Sequence, residues 1–182
     1  RKMQKVEGKN VSLPQQPDLP DERVSDDPPF MHTGIDFAGP LYTSEKDANE
    51  EDPKTYECLF TCASTRAVHL ELTKRLSSEA FMLAFRRSTS RRGLPVTLLS
   101  DNARTFKSPS KDIVRTGRAN KVTHYMANNG VTWKFIFERA AWWGGFWERL
   151  IQTVKCTLNK MIGRSSLSFE ELNTLLVEVE DR

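Results

Sequence analysis

Three acidic residues are of a type and placement that could do chemistry together. Asp36 interrupts an apolar run, Ile35-Asp36-Phe37; Asp101 follows the apolar run Val96 to Leu99; Glu148 lies on a long segment of helical periodicity. A carboxylate at the centre of a sheet costs free energy unless it is paired or holds a metal. Each position alone is weak, because an Asp after a strand is more often a turn or cap residue and a polar helical stripe is usually a solvent face. Two strand carboxylates and one on a later helix can, however, converge on one edge of a sheet. Packed together they repel, so a proton or a cation must join them. Hard oxygen ligands favour Mg²⁺ or Mn²⁺ over zinc, and two such ions ~3.5–4 Å apart are the usual device for in-line attack at a phosphodiester.

The surroundings of Glu148 add to this. Glu148, Gln152, Lys155 and Asn159 recur at helical spacing and make one continuous polar stripe. Just before them, Ala141-Trp142-Trp143-Gly144-Gly145 reads as a mobile loop, with backbone freedom at the glycines and two tryptophans that are costly to leave in water. A mobile aromatic loop beside a polar helix face suggests a substrate groove. Basic residues cluster at Lys74, Arg75, Arg86, Arg87, Arg91 and Arg92. Such a face can meet phosphate, or it can be a solvated helix end.

The elements that must position these groups follow from periodicity. In 182 residues there is room for one compact domain and some linker. Residues 1–29 hold Pro14, Pro17, Pro20, Pro28 and Pro29 with few large apolar groups, and read as an extended linker or a segment leaning on another domain. Order begins at Phe30. A first strand runs to Tyr42, broken at Gly39-Pro40; after an acidic loop, Lys54 to Ala63 and Ala67 to Thr73 are the second and third, joined closely enough for an antiparallel meander. Ser77 is a good N-cap for a helix with Ala80, Phe81, Ala84 and Phe85 on its apolar face, ended by Gly93 and Pro95. Val96 to Leu99 has the all-apolar character of a buried parallel strand. Residues 103–130 are hard to read, with a weak helical signal at Lys111 to Val114. Val131 to Phe137 is a further strand, Phe146 to Ile162 a strongly amphipathic helix, and Ser168-x-x-Glu171 a capping box opening a last helix. The expected fold is α/β, a five-stranded mixed sheet with its first three strands antiparallel and helices on its faces.

Other chemistries find little support. The three cysteines, Cys58, Cys62 and Cys156, form no disulfide framework and, with three scattered histidines, no zinc-finger spacing. Cys58 and Cys62 read as small buried hydrophobes. No run approaches the ~20 apolar residues of a membrane helix. The formal net charge of +3 is too small to argue for a nucleic acid by itself.

Taken in order, Gly34-Ile35-Asp36-Phe37-Ala38-Gly39-Pro40, then Leu99-Ser100-Asp101-Asn102, then Trp143-Gly144-Gly145-Phe146-Trp147-Glu148-Arg149-Leu150 resemble the catalytic core of retroviral-type integrases, most closely those of BEL/Pao-type long-terminal-repeat retrotransposons. Cys58-Leu59-Phe60-Thr61-Cys62, Arg66-Ala67-Val68-His69-Leu70-Glu71 and Arg91-Arg92-Gly93-Leu94-Pro95 extend the resemblance, which runs from about Phe30 to the C-terminus. It departs at Ala140-Ala141, where the family's catalytic loop is expected to carry a proline, and at Ala103, where glycine is frequent.

The resemblance implies a ribonuclease-H-like core over residues 30–182, preceded at 1–29 by the linker that follows a zinc-binding domain missing from this chain. It implies that Asp36, Asp101 and Glu148 bind two Mg²⁺ or Mn²⁺ ions and catalyse 3′-end processing and strand transfer. It makes Lys155, which matches a family lysine that touches DNA, together with Gln152, Asn102 and Trp143, the candidate DNA contacts. DNA and a homo-oligomeric assembly are the implied partners, without a membrane, and the nucleus is the implied compartment. The alternatives are a domesticated or decayed DNA-binding or assembly module without activity, and a related DDE transposase or nuclease.

Overall fold

The computed structural model describes residues 19–44, 54–101, 119–136, 141–163 and 165–181, with the backbone alone for Asp101, 119–121, 135–136 and 141–148. Five strands form one sheet: β1 His32–Tyr42, β2 Lys54–Cys62, β3 Val68–Thr73, β4 Thr97–Asp101 and β5 Thr132–Ile136. Their order across the sheet is β3-β2-β1-β4-β5. The pairs β1–β2 and β2–β3 are antiparallel, and β1–β4 and β4–β5 are parallel. The helices are α1 Asp21–Val24, α2 Ser78–Arg92, α3 Ala119–Asn128, α4 Ala141–Ile162 and α5 Phe169–Glu180. The fold is the five-stranded mixed sheet with flanking helices that the sequence pattern calls for.

Alternation along the strands divides the core into two layers. Ala38, Leu59, Leu70, Leu72 and Leu99 meet Ile151, Val154 and Leu158 of α4 and Leu172, Leu176 and Val179 of α5. On the opposite face Ile35, Cys58, Phe60 and Leu98 meet Phe81, Ala84 and Phe85 of α2 and Val122 and Met126 of α3. With both faces covered, β2 and β3 are buried almost throughout. His69 and Glu71, the polar partners in the alternation of the third strand, are therefore inside rather than in water.

Local signals explain most boundaries. Ser77 accepts the Ala80 N–H at 3.2 Å and starts α2; Gly93 ends it at φ 92°, a left-handed conformation that glycine adopts without strain. Ser168 and Glu171 complete the reciprocal capping box of α5. Gly39-Pro40, expected to break the first strand, instead makes a bulge within it. Ala38 pairs with Glu57 and Leu41 with Thr55, so two residues of β1 stand against Tyr56 alone. Proline has no ladder N–H to lose there, and at Gly39, with φ 117°, an added Cβ would lie 3.1 Å from the Thr55 carbonyl oxygen.

Two further expectations need correction. The Trp-Gly-Gly segment is not a loop, because α4 begins at Ala141 and runs through Trp143, Gly144 and Gly145. Each helical glycine costs only ~1 kcal/mol, and extending an existing helix gains a hydrogen bond per residue. The end of the leader is not simply extended: α1 is one helical turn, and Glu22, 7% exposed, accepts a 2.6 Å hydrogen bond from Lys134 of β5. Finally, α3 falls in the stretch that was hard to read, while the weak helical signal at Lys111 to Val114 lies outside the described residues.

Candidate catalytic and DNA-facing site

The parallel pairing of β1 and β4 does the main positioning. Ile35 stands opposite Ser100, so Asp36 and Asp101 are the next residues on adjacent strands. Asp101 is the last residue of β4, in register with Ile136 of β5. Asp36 alternates with Ile35 and Phe37, which pack toward α2, and shares the parity of Ala38, so it lies on the sheet face that α4 covers. It is half-buried, and its Oδ1 accepts the Phe37 N–H at 2.7 Å. Phe37 meets Phe81 edge to face at 6.0 Å. Ser100 is buried and accepts the Trp133 indole N–H at 2.9 Å, tying β4 to β5 directly before Asp101.

The third candidate, Glu148, is the eighth residue of α4, whose apolar face packs on the sheet. Ile151, Val154 and Leu158 are buried against the sheet, with Leu150 and Met161 partly so. Gln152 and Asn159 are exposed and Lys155 is half-buried. Lys155 and Asn159 reach the end of β1, where they form a cavity with Ala38 to Leu41 and Glu57. The fold thus brings Lys155 and Asn159 of α4 to the strand that carries Asp36. The side chains of Asp101, Glu148 and Trp143, and the whole of Asn102, lie outside the described residues. Among the described residues no group of three His, Cys, Asp or Glu is placed to hold a metal ion, and no helix is long and apolar enough to cross a membrane.

Most of the basic cluster has internal partners. Arg87 and Arg91 bind Glu71, Arg92 binds Glu180, and the Lys74 ammonium lies 5.1 Å from the Phe169 ring centroid. His69, between the two carboxylates, is 3.0 Å from Glu180 Oε1 and 3.2 Å from Glu71 Oε1. Burial works against the charged imidazole, but hydrogen bonds to both carboxylates prevail and raise its pKa. Glu180 is likewise opposed by burial, yet its bonds to His69, the Leu70 N–H and Arg92 hold it down at about 2. Cys62 is more than a buried hydrophobe. Burial raises its pKa, while hydrogen bonds from the Phe30 N–H, Ser64 and Thr65 outweigh that and bring it to about 7.

The residue that sequence reasoning missed is Glu57. It sits on β2 across from Ala38, is 1% exposed, and its Oε2 has no hydrogen-bond partner among the described residues. Burial pushes its pKa up to about 7 against the opposing pull of the Lys155 ammonium. The signal was available. Glu57 alternates with Tyr56 and Cys58 and shares a face with Leu59, a charge within a strand apolar on both sides, which is the argument that singled out Asp36.

Solved structures of the same shape exist. The catalytic core of HTLV-2 integrase in complex with magnesium, in a dimeric form, aligns with a TM-score of 0.55 over 82% of this chain and 85% of that one, at 16% identity. Its trimeric form aligns at 0.54 over 84% of each chain, at 17% identity. The fold is that of a retroviral integrase catalytic core. A chain from the simian T-cell lymphotropic virus intasome in complex with PP2A regulatory subunit B56 gamma aligns at 0.60, with 13% identity over 90% of this chain; the match spans 52% of that longer chain. No protein-family model matches the sequence. No curated protein matches it either.

Proposed function

We propose that this chain is the catalytic core of a DNA strand-transfer enzyme, an integrase of the BEL/Pao retrotransposon type, trimming the 3′ ends of element DNA and joining them to target DNA. The observation that carries the reading is the pairing of β1 with β4. It puts the backbones of Asp36 and Asp101 side by side on adjacent parallel strands, one step beyond the Ile35–Ser100 pair, on the sheet that the helix bearing Glu148 covers. Carboxylates gathered at such a sheet end fit hard divalent cations better than any other cofactor. Asp36, Asp101 and Glu148 would hold two Mg²⁺ or Mn²⁺ ions, which when bound polarise the attacking and leaving oxygens of a phosphodiester.

The chain's own residues bind and orient the DNA. Lys155, with Gln152 beside it on α4, presents donors to phosphate along the helix that carries Glu148, and Asn102 and Trp143 flank the carboxylates in sequence. The reading places the protein in the nucleus, in a homo-oligomer that brings two DNA ends together.

The test is strand joining by the wild-type chain and by Glu148→Gln, on element-end DNA and on a branched DNA with Mn²⁺. Gln is as good a helix former as Glu, so folding and DNA affinity should persist. Joining should fall on the order of 10²–10³-fold, as when one electrostatic contact to the transition state is lost. Joining by Glu148→Gln at the wild-type rate would overturn the assignment. A wild-type chain that binds DNA but is inert with both metals would be an assembly module instead.

A further inference from the structure

The segment before β1 is tied to the sheet by polar contacts and by little buried surface. From 19 to 29 only Pro20 and Glu22 are buried, while Leu19 and Val24 are 53% and 60% exposed. Glu22, in the single turn of α1, accepts the 2.6 Å bond from the Lys134 ammonium. Asp27, itself half-exposed, places Oδ2 2.9 Å from His32 Nε2. The segment pivots at Phe30, whose φ of 67° is uncommon for a residue other than glycine. That pivot is fixed. The Phe30 N–H meets Cys62 Sγ at 3.2 Å, its carbonyl accepts the Thr33 hydroxyl at 2.7 Å, and the Arg92 guanidinium lies 5.5 Å from its ring centroid. A strap with a firm pivot, few buried apolar side chains and polar ties belongs to the part of a fold that opens most readily.

The lysine that holds the strap lies beside the proposed catalytic face. Lys134 stands opposite Leu99, two steps before the pair of Asp101 with Ile136. Leu99 belongs to the core layer under α4, so Lys134 projects from that same face of the sheet. By strand spacing its Cα is ~8 Å from that of Asp101. The Lys134 side chain is 49% exposed, but its ammonium is engaged by Glu22. Burial opposes the charge of Glu22, yet the hydrogen bond and charge of Lys134, with a backbone hydrogen bond, prevail and lower its pKa. The strap therefore presents an anionic oxygen to this lysine. A DNA phosphate offers the same kind of partner.

We propose that residues 19–29 form an autoinhibitory strap, in which Glu22 holds Lys134 in the place of a DNA phosphate and is displaced when DNA takes the lysine over. The inference rests on the strand-transfer reading above, because DNA engaged at Asp36 and Asp101 is what comes within reach of Lys134. Only the form with the strap released offers the lysine to DNA, and apparent affinity falls by the fraction of the chain in that form. Removing the Glu22 charge should lift this restraint and add one phosphate contact.

The experiment is fluorescence anisotropy with the 182-residue chain and a labelled DNA duplex of mixed sequence, titrated between about 50 and 200 mM NaCl. Glu22→Gln should bind on the order of tenfold tighter than wild type at the lower salt, with the slope of log K against log salt steeper by ~0.9, the mark of one added phosphate contact. Asp21→Asn removes the same charge from an exposed neighbour and should leave affinity and slope near those of wild type. In a Lys134→Gln background the gain from Glu22→Gln should vanish, as coupling through one partner requires. Asp27→Asn, at the exposed tie, should give a smaller gain that Lys134→Gln also abolishes. A Glu22→Gln variant that binds like Asp21→Asn overturns the inference and leaves the DNA reading intact, the pair then being a structural tie only. A gain that survives in Lys134→Gln overturns it too, since the lost charge then acts on DNA at large. Absence of DNA binding by wild type and every variant overturns both readings. Melting temperatures are measured alongside; should Glu22→Gln not fold, Asp27→Asn decides, and its binding like wild type would overturn the strap.

Discussion

Two buried carboxyl groups lie one register step apart on facing strands and meet opposite fates. Cys58 pairs with Glu71 and Glu57 with Leu72, so Glu71 points to the α2 face of the sheet and Glu57 to the α4 face. Both are nearly inaccessible, at 4% and 1% exposure. Glu71 is held by His69, Arg87 and Arg91, and although burial opposes it, His69 and Arg87 lower its pKa. Glu57 Oε2 has no partner among the described residues, and burial outweighs the pull of the Lys155 ammonium. The two show that depth alone does not set the charge of a buried carboxyl group; the partner set does. A buried carboxylate already satisfied by its own fold is a structural tie, and one left unsatisfied is pushed by its burial toward the neutral form.

The sharpest way to break this comparison is Glu71→Ala. It removes the acceptor shared by a buried histidine and two arginines, and deleting one partner of a buried pair costs about 3–5 kcal/mol. Urea denaturation should show that loss of unfolding free energy. A loss below about 1 kcal/mol, the worth of an exposed pair, would mean that Glu71 is no more a tie than a surface charge.

Glu57→Gln should act in the other direction and with a smaller effect. A carboxyl group whose folded pKa is raised from 4.5 to about 7 contributes a stability that is present at low pH and lost as pH rises through that window, because the unfolded chain releases the proton first. The shift corresponds to roughly 3 kcal/mol at 1.36 kcal/mol per unit, of which relaxation and water entry leave a part. His69, with its raised pKa, adds loss in the same direction as pH rises past its own titration. The variant should therefore be more stable than wild type at pH 8 and show a flatter, but not flat, decline between pH 5 and 8. A decline as steep as in wild type would place the titration elsewhere. Acid acts at a different carboxylate, since Glu180 keeps its charge down to about 2 and its contribution is lost as pH falls from about 4.5 toward that value.

How much of this was legible in the sequence follows from the range of the forces involved. The elements with local signatures read directly: the Ser77 and Ser168 caps, the Gly93 stop, and the apolar stripe of α4 at Ile151, Val154 and Leu158. Asp36 could be singled out because one strand supplies its whole context. What could not be read depends on residues far apart in the chain. The bond from Lys134 to Glu22 spans 112 positions and the one between His69 and Glu180 spans 111, and no period or motif links their ends. The Trp-Gly-Gly segment misled because glycine's helix cost is a local quantity, whereas continuation of α4 is cooperative. The basic cluster misled for a similar reason: the count of charges was right, but its carboxylate partners lay on β3 and at the end of α5.

The smallest predicted effect sharpens the comparison within the tie itself. Arg87 and Arg91 both bind Glu71, but by different means. Arg87 donates through Nε to Oε2 and through Nη2 to the Leu72 carbonyl at 3.2 Å, joining α2 to the β3 backbone as well as to the carboxylate. Arg91 makes one 3.2 Å contact to Oε1, an oxygen that His69 already approaches, and its side chain is 57% exposed. An exposed single-point pair contributes about 0.2–1 kcal/mol and is screened by salt. Arg91→Ala should therefore cost less than 1 kcal/mol at low ionic strength and almost nothing in 1 M NaCl, where the Debye length is about 3 Å. Arg87→Ala should cost more and keep most of its cost in salt, because the backbone contact and the packed stem of the side chain are not screened. Denaturation of the two variants at both salt concentrations separates these cases. Equal, salt-sensitive losses would mean that Glu71 is held by field alone, and that its geometric difference from Glu57 carries less of the contrast than its charge environment does.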